Sequence, residues 1–290
     1  MLVFVNFILL IFLIYLLKLM KKELRVEISF KDLQQLKKKI DFLLNRDIYK
    51  INIPCKGLIK KDFLLEAIKY IGTNYKEVEV IYHYSLFHQF SIDQNNSLND
   101  LLKFIRLSRK YDNKEILLIS GSRKKKTFEV TNILDKLKVK DIKFGVAYNP
   151  YFIKNNEISL ERNNLIKKIN SGLVNSIWLQ FGSNLQALEK EIKFIKKNIR
   201  DQSNNFNNEI RIYGSILVPS KQFLARFKFR PWRGVYLTQD FLNSLEYSKL
   251  ITREIYKIYC VNEIIPLVET ECSTLKQFND VKNLFQDIFI

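Results

Sequence analysis

Glu27, His83, Ser122, Gln180 and Glu269 share a setting in this sequence. Each stands within or just past a short apolar, β-branched run: Glu27 in RVEISF, His83 in EVEVIYHY, Ser122 after EILLISG, Gln180 in NSIWLQF and Glu269 at the end of EIIPLVE. Pro54, Gly121, Tyr148, Asn149, Pro219 and Ser220 occupy the same kind of place. The set holds an early carboxylate, a histidine, a glutamine and several hydroxyls and amides. No pair of carboxylates close in sequence offers itself for acid–base work. No Gly-x-Ser-x-Gly elbow presents a nucleophile. No histidine or cysteine cluster has metal-ligand spacing, so no metal is expected. Such an inventory suits the binding of a planar organic molecule better than metal-assisted hydrolysis.

The stretch EILLISGSRKKKTFEV, residues 115–130, carries a further signal. An apolar run meets a Ser-Gly-Ser turn, and Arg123, Lys124, Lys125 and Lys126 then open a helical pattern. A strand that ends in a small-residue turn before a helix is where many α/β proteins hold a phosphate. Cations at a helix start are unfavourable unless an anion lies nearby. Two readings stay open: a phosphate neighbour, such as a dinucleotide pyrophosphate, and a solvated basic turn.

The elements that must position these residues alternate along the chain. Strand patterns fall at 24–30, 49–54, 77–84, 115–120, 142–148, 175–181, 209–218 and 263–269. Helical periodicity fills the intervals: 31–44, 61–71, 97–111 with Ser97 as cap, 127–137, 159–172 with Ser159 as cap, 185–199, a long region over 220–259, and 273–288. Strict βα alternation indicates a parallel sheet. Eight such units are what a closed (β/α)8 TIM barrel requires. A doubly wound open sheet is the alternative. In a barrel the residues above lie at the carboxyl ends of the strands, where barrel chemistry sits.

The chain has 290 residues with 47% hydrophobic content, enough for one sizeable core. No linker splits it, so residues 21–290 read as one barrel domain preceded by an apolar segment, residues 1–20. Its formal net charge is +18, with the cations spread over helical patterns in a Lys-, Ile- and Asn-rich composition. No nucleic-acid motif accompanies that charge, and no specific nucleic-acid partner is expected. The odd, sparse cysteines Cys55, Cys260 and Cys272 fit a reducing compartment, the cytoplasm. Leu2–Leu17 is charge-free and is followed by Lys18, Lys21 and Lys22. Three readings of it remain: a short membrane anchor with its basic side in the cytoplasm, an apolar helix packed on the domain, or a translation start at Met20.

Four segments, taken in order, resemble methylenetetrahydrofolate reductase, a flavin-dependent (β/α)8 barrel. LIKKINSGLVNSIWLQF, residues 165–181, is similar to that family's Leu-Lys-x-Lys-x-x-Ala-Gly helix and the Thr-Gln-x-x-Phe strand end, with Lys168, Ser171, Gly172 and Gln180 on the frame. FGVAYNP, residues 144–150, resembles its Val-Ala-x-Tyr-Pro strand end, and GSILVPSKQFLARF, residues 214–227, its Gly-Ile-x-Pro-x-x-x-Phe segment. His83 in YHYSL falls where the family closes its third strand with a histidine.

The resemblance implies an activity and its cofactors. Hydride would pass from NAD(P)H through FAD to 5,10-methylenetetrahydrofolate, giving 5-methyltetrahydrofolate. Glu27 would be the general acid on the folate. His83, Gly121, Ser122, Tyr148 and Lys168 would lie against the flavin, and Gln180 and Phe223 against the folate or nicotinamide. Three departures accompany it, one of them an eighth strand, IIPLVE, that lacks the expected aromatic-rich ending and leaves Glu269 there. The family's prolines after the first strand are absent. Its fourth strand ends Arg-Gly-Asp-Pro, where this chain has Ser120-Gly121-Ser122-Arg123. An aspartate beside the ring tunes flavin potential, so Ser122 implies either a raised potential or no bound flavin. A barrel that kept its scaffold and lost its flavin, acting as a binding module, is the alternative. A basic-aromatic patch of Arg226, Arg230, Trp232 and Arg233 is a third feature, of the kind that grips single-stranded nucleic acid or an acidic substrate tail.

Overall fold

Eight short strands pair in sequence order and then close on themselves. The computed structural model describes residues 24–55, 61–86, 93–120, 129–137, 139, 142–203 and 209–285. The apolar segment 1–20, with its three readings, lies outside the described residues, as do Gly121, Ser122 and the basic run 123–126. The strands are β1 (Arg25–Glu27), β2 (Lys50–Ile53), β3 (Glu79–Ser85), β4 (Glu115–Ile119), β5 (Lys143–Tyr148), β6 (Val174–Leu179), β7 (Arg211–Ile216) and β8 (Ile265–Val268). All pair in parallel, and β1 also pairs with β8 through Arg25–Leu267 and Val26–Val268. That closure excludes the open doubly wound sheet. The chain is a (β/α)8 TIM barrel.

Helices α1 (Leu33–Leu44), α2 (Lys61–Asn74), α3 (Gln94–Lys110), α4 (Val130–Lys136), α5 (Asn155–Asn170) and α6 (Leu185–Ser203) follow the first six strands. In α1, Leu36, Ile40 and Leu43 are buried at i, i+4 and i+7, as a helix covering a sheet requires. Asp32 caps it, its Oδ1 accepting from the Gln35 N–H at 2.7 Å, a contact of about 1 kcal/mol. Two expected caps move. Asp93, not Ser97, caps α3, and Ser97 is buried inside the helix. The helix expected from Ser159 starts a turn earlier, at Asn155.

The long helical region expected over 220–259 is three helices: α7 (Lys221–Phe229), α8 (Gln239–Asn243) and α9 (Leu245–Val261). Pro231 cannot sit inside a helix, and Gly234 takes φ +84°. Ser220, Thr238 and Ser244 each accept a hydrogen bond from the N–H three residues on, so each starts its own helix. Helix α10 (Leu275–Leu284) closes the described chain.

Two apolar cores result. Leu36, Ile68, Phe104, Leu165, Ile195 and Ile255 lie between sheet and helices. Ile81, Leu117, Trp178, Tyr213 and Leu267 form a separate plug within the barrel. Trp178 stacks on Tyr213 with ring centroids 4.0 Å apart. Burial pushes the Tyr213 phenol up to about 12, with Arg25 and Arg211 opposing the shift. On the outer face, a Cβ at Gly214 would lie 2.3 Å from the Tyr259 ring on α9. Gly214→Ala is expected to lower unfolding free energy by about 1–3 kcal/mol, the usual cost of overpacking. Urea unfolding measures it, and an unchanged midpoint would show that α9 shifts freely.

Candidate functional site

Alternation along each strand divides the barrel interior into three levels. The lower level holds Arg25, Lys50, Glu79, Glu115 and Arg211 at the amino ends of the strands. Arg25 is fully buried and donates through Nη1 and Nη2 to Glu79 Oε1 at 3.0 and 2.8 Å. Glu115 accepts from the Ser176 hydroxyl, from Asn175 Nδ2 at 2.9 Å and from Arg211 Nη2 at 3.1 Å. A cavity of about 710 Å³ opens at this end, walled by Glu79, Tyr111, Glu115, Lys143 and Arg211. It lies at the stabilising face of the barrel, away from the strand ends where chemistry is expected. The apolar plug separates it from the upper level.

The upper level brings together residues from β1, β2, β3, β7 and β8. Glu27, the last residue of β1, follows Arg25 by two and so faces the interior with only 7% exposure. His83 is 5% exposed, and its Nδ1 stands 4.0 Å from Glu27 Oε2. Its Nε2 lies 3.0 Å from Asn52 Nδ2. Asn52, buried at the centre of β2, accepts from Arg25 Nε at 3.1 Å through Oδ1. The pairing of β1 with β8, extended one residue, sets Glu269 beside Glu27. Glu269 Oε1 accepts from the Ser215 hydroxyl at 2.6 Å. Two glutamates thus occupy neighbouring positions on adjacent strands, though 242 positions separate them in sequence. This is a proton-handling arrangement: acidic groups at one opening, next to an imidazole.

The other expected site residues divide. Gln180 follows β6 at the same opening, half-buried, with its Oε1 accepting from the Phe181 N–H at 3.0 Å. Phe223 stands in the first turn of α7, at the rim above β7, half-buried. Its ring packs against Phe227, tilted, and against Trp232, edge to face, at centroid distances of 5.9 and 5.5 Å. Tyr148 and Lys168 do not reach the interior. Tyr148 points outward from β5, because inward positions alternate with it, and its hydroxyl donates to Glu191 on α6. Arg162 grips the same carboxylate through Nε at 2.9 Å and Nη2 at 2.6 Å. Burial, then the Glu191 bond, holds the Tyr148 phenol well above its ordinary range. Lys168 on α5 is buried and donates through Nζ to the Ala147 carbonyl at 2.9 Å.

These placements do not make a flavin cradle among the described residues. Of the five residues the resemblance gives to FAD, two lie outside the description and two spend their polar atoms behind the sheet. His83 alone faces inward, with Nε2 held by Asn52. Among the described residues, no three His, Cys, Asp or Glu side chains gather to hold a metal, and no helix is long and apolar enough to cross a membrane.

Sequence reading missed Asn52 and Ser215, and gave Glu269 no role. A signal existed for Asn52. In KINI, the lysine and asparagine alternate with isoleucines, which marks a polar inward face inside an apolar strand. The pairing of Glu27 with Glu269 had no sequence signal, since only barrel closure makes them neighbours.

Neither a protein-family model nor a curated protein sequence matches this chain. Solved structures resemble it in fold. A DHPS from Yersinia pestis, solved with a pterine-sulfa conjugate, has a TM-score of 0.50 at 9% identity, with 91% of each chain covered. An aldo/keto reductase from Klebsiella pneumoniae, in complex with NADP and acetate, has a TM-score of 0.48 at 8% identity, covering 92% of this chain and 85% of that one. At these identities the likeness is one of fold alone.

Proposed function

We propose that this chain is an enzyme that transfers a proton at the mouth of its barrel, with Glu27 the group that gives and takes it. The observation that carries the reading is the setting of Glu27. A carboxylate at the carboxyl end of β1 is withdrawn from water and faces an imidazole at 4.0 Å. A carboxyl group so placed has little solvent to compete with a substrate for its proton. The proton passes from the carboxyl to a basic nitrogen of the substrate, the adjacent C–N bond opens to an iminium, a water entering through the mouth adds its oxygen to the iminium carbon, and the proton that water releases returns to the carboxylate.

The substrate class is a planar nitrogen heterocycle, and a folate is our specific choice. The resemblance to methylenetetrahydrofolate reductase supports it, together with Gln180 and Phe223 at the same opening. The full reductase reaction, with hydride from NAD(P)H through FAD to 5,10-methylenetetrahydrofolate, is the finest form of this reading. Its folate side is supported by Glu27, Gln180 and Phe223. Among the described residues its flavin side has His83 alone, and no step is routed through the flavin.

The visible spectrum of the purified protein, before and after adding FAD, tests this division. We expect no flavin bands and no rise in thermal midpoint with FAD. Flavin bands that bleach with NAD(P)H would instead restore the complete reductase. A second reading, a binding barrel without turnover, draws on the near-complete burial of Glu27 and His83. It predicts that tetrahydrofolate binds while 5,10-methylenetetrahydrofolate is left unchanged.

A further inference from the structure

We infer that Asn52 is a positioning residue: held by Arg25, it fixes His83 in the tautomer whose Nδ1–H faces Glu27. The inference follows from which groups can donate. Arg25 has only donors, so the Asn52 atom that meets its Nε at 3.1 Å is the carbonyl oxygen. The amide is thereby oriented, and the atom 3.0 Å from His83 Nε2 is Nδ2, a donor. A ring nitrogen that receives a hydrogen bond carries no proton. In a neutral imidazole the proton then sits on Nδ1, the nitrogen that stands 4.0 Å from Glu27 Oε2.

The order of donors continues to the other end of the barrel. Arg25 is itself aligned by the two bonds to Glu79 Oε1, and Glu79 forms part of the wall of the lower cavity. Arg25 thus heads the chain: it donates toward the amino-end cavity to Glu79 and toward the mouth to Asn52, Asn52 donates to His83, and His83 presents Nδ1 to Glu27 at 4.0 Å. All but Glu79 are buried. A free histidine in water prefers the opposite tautomer, with the proton on Nε2. The chain therefore reverses an intrinsic preference, and it aims a donor at the carboxylate rather than a second acceptor. A neutral donor beside Glu27 steadies its carboxylate after the proton has left. The purpose given to this device rests on Glu27 as the working carboxyl, whereas the tautomer can be read without any turnover.

Long-range proton–nitrogen correlation spectra of the full-length protein, labelled with nitrogen-15, read the tautomer directly. The chain has two histidines, so His88→Gln leaves His83 alone in the spectrum. The expected wild-type pattern is a pyridine-type Nε2 and a pyrrole-type Nδ1 at neutral pH. Asn52→Asp keeps shape and the bond from Arg25 but offers His83 an acceptor. It is expected to convert Nε2 to the protonated, pyrrole-type form. Asn52→Ala is expected to let the Nε2–H form predominate, and Glu79→Gln, far from the mouth, to leave the wild-type pattern in place but broaden it. A pyrrole-type Nε2 in the wild type would overturn the inference with no variant needed. So would an Asn52→Asp protein, folded by its near-ultraviolet circular dichroism, that kept a pyridine-type Nε2. Failure of the folate assay with the expected tautomer present would count against the proposed reaction and leave the positioning intact.

Discussion

Glu27→Gln is expected to leave the barrel folded and to lower turnover by about 10²–10⁴-fold, the share that a positioned general acid or base supplies. Glutamine has nearly the shape of glutamate and keeps an oxygen toward His83 Nδ1, 4.0 Å away in the native site. It removes the ability to release and regain a proton. The measurement is consumption of 5,10-methylenetetrahydrofolate by wild type and variant, alongside the thermal midpoint of each. Equal turnover in the two would remove Glu27 from the mechanism. The neighbouring Glu269→Gln is the informative control, because Glu269 stands beside Glu27 and is held by Ser215 at 2.6 Å.

Arg25→Ala carries the largest stability change expected of this fold, about 3–5 kcal/mol, the range seen when one member of a buried charged network is removed. Arg25 is fully buried, donates to Asn52 and Glu79, and has its guanidinium carbon 5.9 Å from the Tyr213 ring centroid. Truncation leaves a cavity at the barrel axis and an unpaired Asn52 oxygen. Glu79 is spared the worst, since its side chain is about half exposed and water can solvate it. Arg25→Met refills most of the volume. It is expected to lose about 1–3 kcal/mol, the cost of the orphaned amide oxygen. Urea unfolding of both variants decides the matter. An Arg25→Ala protein within about 1 kcal/mol of wild type would show that the interior network holds without it.

Strand alternation made much of the interior readable residue by residue. Glu27, His83 and Gln180 were placed at strand ends by counting along apolar runs, and each faces the opening. Tyr148 was placed by the same count, but one step along a strand reverses the face. Its outward position is settled by Glu191 and Arg162, which only helix packing brings to it. Lys168 lies on a helix with several lysines, and its depth follows from how α5 docks against β5. Phe223 stands at the rim against Trp232, which a chain turn at Pro231 and Gly234 brings to it and helical periodicity does not reveal.

The sequence by itself determined the number and order of the βα units, because period-two and period-3.6 patterns are local properties of the chain. It also determined which residues end the strands, and hence the candidate chemistry of the mouth. The tertiary structure alone decided that the sheet closes, because pairing β1 with β8 depends on twist and stagger accumulated over every strand. Closure set Glu269 beside Glu27 and threaded Arg25, Asn52 and His83 into one directed chain. These contacts join residues tens to hundreds of positions apart. Their energies depend on burial and on which groups donate or accept, and neither is fixed until the barrel encloses them.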